Sequence, residues 1–142
     1  SVAFCTEEMI ERFKEIEYIK DYLEGKKVEI ENFNKVHQIN SSNIVNGRRL
    51  TNIGTFRAYV EEYLHHHPQI NQDMIQMVRQ LQPTENGLPI EIYAFTDGTA
   101  WVNYEGTQAD LFDHILAVIP QFDLRIYQAP SGYDFKGEGY GL

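Results

Sequence analysis

A change of hydrophobic period partway along the chain constrains its fold more than any other feature. Phe56, Tyr59, Val60, Tyr63, Leu64 and His67 recur at i, i+3, i+4, i+7, i+8 and i+11, one face of an α-helix, and Pro68 ends it. From Leu88 to Thr96 the period drops to two. Ile90, Ile92 and Ala94 point one way and Glu91, Tyr93 and Phe95 the other, as in a half-buried strand. Residues 74–82 (MIQMVRQLQ) supply a partner strand with Ile75, Met77 and Leu81 on one side. Pro83-Thr84-Glu85-Asn86-Gly87 is the turn between the two. A chain with both periods is a mixture of helices and hairpin.

The flanks extend that pattern. Val2 to Phe4 reads as the remnant of an opening strand, and Thr6 caps a helix whose first turn carries Glu7 and Glu8. Met9, Ile10, Phe13 and Ile16 have helical spacing, continued by Ile19, Leu23, Ile30 and Phe33. That stripe is either one long helix or two helices hinged at Gly25. Residues 38–50 are polar and turn-rich, a connection. Thr107 with Asp110 resembles a capping box opening the last helix. Leu111, Phe112, Ile115, Leu116 and Ile119 would form its apolar face and Pro120 its end, with Phe112 and Ile115 packing on Ile90 and Ile92. Phe122 to Gln128 then makes a final strand. The order is β-α-β-β-α-β, so the expected fold is an α+β ferredoxin-like sandwich, one antiparallel sheet with helices on one face. Its first strand is truncated, because the chain enters at Ser1-Val2-Ala3-Phe4 as a fragment would. A helical insertion spans 18–50, the domain 1–130, and a Gly-rich tail 131–142.

Composition narrows the function classes. A net charge of −9 repels nucleic-acid phosphates and anionic membrane surfaces. Cys5 is the single cysteine, so no internal disulfide forms, and its reading is a small apolar residue near a strand end. No stretch approaches the roughly 18 to 20 apolar residues that cross a bilayer.

Candidate chemistry is sparse. His65, His66 and His67 are adjacent, but neighbours on a helix diverge by about 100° and cannot converge on one ion. Glu61–His65 and Glu62–His66 have the i, i+4 spacing for adventitious metal only. Asp110, Asp113 and His114 come together at i, i+3 and i+4, opposite the apolar face, where they would meet water, a portal or a partner subunit. As a carboxylate–histidine cluster they also admit a metal-dependent enzyme reading. Arg48 and Arg49 could cradle an anion, without any phosphate-loop motif around them. Trp101, Tyr104, Tyr93 and Phe95 are either core or the wall of a small-molecule pocket. No catalytic, cofactor or metal site is assigned.

Three blocks, NGRRLTNIGTFRAYVEEYL, VRQLQPTENGLPIEIYAFT and YEGTQADLFDHILAVIPQFDLRIYQAPSG, resemble the cytoplasmic C-terminal region of bacterial small-conductance mechanosensitive channels (the MscS family), its miniconductance-type branch in particular. The resemblance runs from Phe4 to about Gly132. It implies a cytoplasmic α/β domain of a homoheptameric inner-membrane channel that releases solutes on hypo-osmotic shock, anchored by upstream segments absent here. It implies no enzyme activity, no cofactor and no nucleic-acid partner. Relatives end the middle helix in an Asn-His-Pro-like sequence, which makes His67 and Pro68 a helix terminus. Thr107 stands where relatives carry an apolar residue, and KGEGYGL matches no family pattern. A regulatory small-ligand domain of ACT-like type shares the same strand and helix order and is the rival reading.

Overall fold

The computed structural model describes residues 2–98 and 101–128, with the side chains of Trp101 and Val102 excepted. The class is α+β: four helices and one two-stranded antiparallel sheet among the described residues. In order these are α1 (Glu7–Phe13), α2 (Lys20–Val36), α3 (Asn52–His66), β1 (Met77–Gln80), β2 (Ile90–Tyr93) and α4 (Trp101–Val118). Short 3-10 turns at Glu17–Ile19 and Ile119–Phe122 lead into α2 and follow α4.

Thr6 caps α1 as its sequence predicts. Its hydroxyl accepts from the Met9 N–H at 3.2 Å, while the Met9 sulfur takes the Thr6 N–H at 3.5 Å. The helix then stops at Phe13, and Ile16 is extended. The break therefore lies between α1 and the 3-10 turn, and α2 passes through Gly25 without a hinge. Both Phe13 and Ile19 are fully buried, and the bend lets both reach one core. An exposed glycine costs a helix about 1 kcal/mol, too little to stop it. Within the expected insertion at 18–50, Ile19 and Leu23 belong to the main core. Beyond Leu23 the helix turns outward, with Val28 and Val36 exposed. Its return loop is fixed at Gly47, where a positive φ and the Asn34 side chain leave no room for a Cβ. The Asn34 amide brackets Arg48, accepting its N–H at 3.0 Å and donating to its carbonyl at 3.2 Å.

The core centres on Phe122, 1% exposed, which packs on Phe13, Phe56 and Tyr59 at ring-centroid distances of 5.3 to 5.5 Å. Helix α3 is the spine, burying Phe56, Tyr59, Val60 and Leu64 on the face its spacing marks. Thr51 caps its start and His67 its end. The Gln72 side-chain amide closes that end, lying within 3.3 Å of the carbonyls of Leu64, His67 and Ile70.

The hairpin pairs Met77 with Tyr93, Val78 with Ile92, Arg79 with Glu91 and Gln80 with Ile90. Directly opposed residues share a face. Val78, 7% exposed, therefore joins Ile92 on the inner side, while Ile75 is 59% exposed. This reverses the face expected for β1. Ile75, Met77 and Leu81 have the opposite parity to the residue that Ile92 selects.

Helix α4 starts at Trp101, six residues before the expected cap. Thr107 lies inside it, buried, and donates to the Gln69 side-chain oxygen at 3.1 Å. A hydroxyl with that partner is satisfied mid-helix and need not cap. The inward positions are Leu111, Ile115, Val118 and Ile119. Phe112 and Leu116, each 45% exposed, lie off that face, which corrects the expected burial of Phe112 against Ile90 and Ile92.

No four-stranded ferredoxin-like sheet forms among the described residues. Phe4 makes a single bridge to Thr51, and Cys5 donates to the Leu50 carbonyl at 2.8 Å. Of residues 122–128, expected as a strand, Phe122 ends the 3-10 turn and 124–128 pair with no ladder. Both flanking segments are held by one buried side chain. Asn52 accepts from the Ala3 N–H at 3.0 Å and donates to the Asp123 carbonyl at 3.5 Å. The expected tail at 131–142 lies outside the described residues.

Candidate functional site

Two places gather residues with chemical potential: the joint between α3 and α4, and a cleft beside β2. Helical spacing brings Asp110, Asp113 and His114 onto neighbouring turns, but their side chains part. Asp110 and Asp113 are exposed, whereas His114 is half-buried against α3. Its Nε2 lies 2.6 Å from the Tyr59 hydroxyl, and its ring stacks on Tyr63 at 4.2 Å and 3°. His114 is therefore a packing residue of the joint and not a member of a solvent-facing triad. The sequence argument failed there because aromatic residues of α3 draw the imidazole inward, and they are far away in sequence.

Burial pushes the Tyr59 and Tyr63 phenols above their ordinary pKa, and for Tyr63 the charge of Asp110 adds to the effect. Tyr59 thus keeps its proton at neutral pH and can donate it to His114.

The histidine run divides three ways. His65 is exposed. His66 stacks on Tyr18 at 4.8 Å, and its Nδ1 donates to the Glu62 carbonyl at 2.8 Å. His67 turns inward as the cap, its Nδ1 accepting from the Gln69 N–H at 3.1 Å. Among the described residues no group of three His, Cys, Asp or Glu side chains is placed to hold a metal ion. Arg48 pairs with Glu29 at 2.7 Å and lies over the Phe33 ring, and Arg49 bonds the Ser41 and Asn43 carbonyls. Arg48 ties the return loop to α2, and Arg49 braces that loop on itself. The Cys5 thiol is pushed up by burial, partly offset by a hydrogen bond with Thr55, the opposite of an activated nucleophile. Tyr93 meets Phe95 edge-on at 5.3 Å, and Tyr104 is exposed. The Trp101 side chain lies outside the described residues.

The cleft is the feature that sequence reasoning missed. It is a half-open cleft of about 540 Å³, lined by Ile53, Phe56, Leu88, Ile90, Ile119 and Leu124, among others. Val2 and Tyr127 also border it, and among the described residues Arg125 is the only charged one in its wall. The available signal was the alternation of Ile90 and Ile92 and of Leu124 and Ile126, two strands read as neighbours of a complete sheet.

No known protein family and no solved structure matches this chain. No helix among the described residues is long and apolar enough to cross a membrane.

Proposed function

We propose that this chain is the cytoplasmic α+β domain of a tension-gated channel of the MscS type, assembled with copies of itself on the cytoplasmic side of a bacterial inner membrane. The observation that carries the reading is the outer apolar surface of α4. Phe112 and Leu116 stand half-exposed one turn apart, and Leu116 lies in one wall with Ile126 and Tyr127, also exposed. A run of large apolar side chains at the surface marks a contact between proteins more often than a solvated face. Asp110 and Asp113 border it and give it an acidic rim. In such an assembly the fold would be the split β-α-β-β-α-β sheet, with residues 2–4 and 124–128 as its two further strands.

The test is electrical. Full-length protein in membrane patches should pass current when tension is applied. The Asp110→Asn, Asp113→Asn double variant should open at similar tension with an altered ion preference, most visible at low salt, since such fields are screened over about 10 Å at 0.1 M. Absence of any tension-activated current removes the channel reading. The ACT-like reading would then be favoured by stoichiometric binding of an amino acid or nucleotide in calorimetry.

A further inference from the structure

We infer that the cleft between α1, α2 and the return loop binds a short apolar peptide, holding its free carboxylate at one end and its free ammonium at the other. The helix break at 14–16 lets the chain double back, so one face of α1 (Ile10, Glu11, Lys14) looks across at one face of α2 (Leu23, Lys27, Ile30). Glu11 is held below the ordinary carboxylate pKa by Lys14 and, across the cleft, by Lys27. Lys14 is raised by Glu11 and, across the cleft, by Glu24. The two walls therefore run antiparallel, with Glu24 near the break and Asn34 near the return loop, where it brackets Arg48. The space is half-open and about 440 Å³, within the range that small ligands occupy.

The lining has two parts. Ile10, Leu23, Ile30 and Leu50 give it an apolar floor. Charged side chains form the rim: among the described residues, four carboxylates and four cations, in a chain of 21 acidic and 12 basic residues. A ligand of one net sign would meet repulsion there as well as attraction, and one carrying both signs would not. Arg49 is the cation at the loop end left without a carboxylate. Arg48 is paired with Glu29, whereas Arg49 has no such partner among the described residues. Its terminal nitrogen bonds loop carbonyls, and its Nε is buried without an acceptor. A buried donor left unmade is costly, and a carboxylate supplies the acceptor in the paired geometry that a guanidinium favours.

Glu24, at the other end, is exposed and makes no ion pair among the described residues. Along α2 the distance from Glu24 to Asn34 is about 15 Å. An extended peptide advances about 3.4 Å per residue, so three residues and the reach of the Glu24 and Arg49 side chains cover it. A single amino acid is too short to touch both ends. Apolar side chains of such a peptide would lie on Ile10, Ile30 and Leu50. The site stands apart from α4 and the sheet, so the inference needs neither the channel reading nor the ACT-like one.

Calorimetry of the 142-residue chain with tri-leucine, to about 1 mM peptide, tests it. One peptide should bind per chain. Amidation of its C-terminus and Arg49→Gln should each weaken binding by roughly tenfold or more, and the two together no more than either alone. N-acetylation and Glu24→Gln should behave as a second such pair. Glu24 is exposed and unpaired, so this variant keeps the fold even if Arg49→Gln loosens the return loop. Backbone amide shifts on binding should centre on Ile10, Ile30 and Leu50. No binding of tri-leucine overturns the inference, as does binding that ignores Glu24→Gln and N-acetylation or that moves amides beside β2 instead. Leucine alone binding as tightly as the tripeptide also overturns it and points to an amino-acid site of ACT-like kind. None of these outcomes bears on tension-activated current, so the two readings fail separately.

Discussion

Phe122 and Phe112 show how little a residue's type says about its worth. Phe122 is enclosed by three other aromatic rings, and Phe112 stands nearly half in water. Phe122→Ala removes a fully packed ring and should cost about 3 to 5 kcal/mol in denaturant unfolding. Phe112→Ala should cost less than about 1 kcal/mol in the isolated chain, as surface substitutions do. A large loss at Phe112 would mean that its ring is buried after all. The Tyr59–His114 contact supplies a second residue-scale test. Tyr59→Phe deletes the hydroxyl 2.6 Å from Nε2 and should cost about 1 kcal/mol, with the ring packing on Phe122 kept. Neither residue's role was legible in the sequence. Phe112 and Ile115 both fit an apolar helical face, and only the position of α3 decides which of them is inside. His114 was placed by the same helical wheel on the wet side, although a ring with two aromatic neighbours on α3 can lean across the boundary.

Among the elements, strong local periodicity was the readable part. The buried face of helix α3, its end before Pro68, and the inner face of β2 follow directly from local pattern. Boundaries decided by distant partners were not readable. Gln69 satisfies Thr107 in the middle of α4, so a residue that imitates a cap becomes an interior position. Val78, through its pairing with Ile92, sets the face of β1 against the larger residues on either side. Gly25 offers a clean test of the uninterrupted α2. It is exposed, a Cβ there would meet nothing within 4 Å, and its φ is not positive. Gly25→Ala should therefore stabilise the chain by about 0.5 to 1 kcal/mol, measured as a higher denaturation midpoint with unchanged slope. If α2 bent at Gly25 instead, the substitution would be neutral or harmful. Gly47→Ala should do the opposite and destabilise, because the return loop needs both the left-handed backbone and the space beside Asn34.

For the whole molecule, the buried phenols set an alkaline limit. Burial raises the pKa of Tyr22, Tyr59 and Tyr63 above the ordinary value near 10. A group whose folded pKa is raised contributes stability that is complete below the unfolded pKa and is lost as pH rises through the folded one. Unfolding free energy should thus show no phenol-linked change near neutrality and fall above about pH 10. Tyr59→Phe should blunt that fall. A flat profile to pH 11.5 would show that the rings ionise freely in the folded chain. The surface allows a separate test of assembly. Phe112 and Leu116 contribute little to the fold while half-exposed, and in the proposed assembly they would lie at a subunit contact. Placing a charge there, as Phe112→Glu with Leu116→Glu, should leave the melting temperature of the isolated chain nearly unchanged. In the full-length protein the same pair would bury two unpaired carboxylates at a subunit contact, costing several kcal/mol per contact. Light scattering of detergent-purified protein should then report a loss of oligomer relative to wild type, while an Asp110→Asn, Asp113→Asn control stays assembled. An oligomer of undiminished mass in the Glu pair would show that this face meets water and that the copies associate elsewhere.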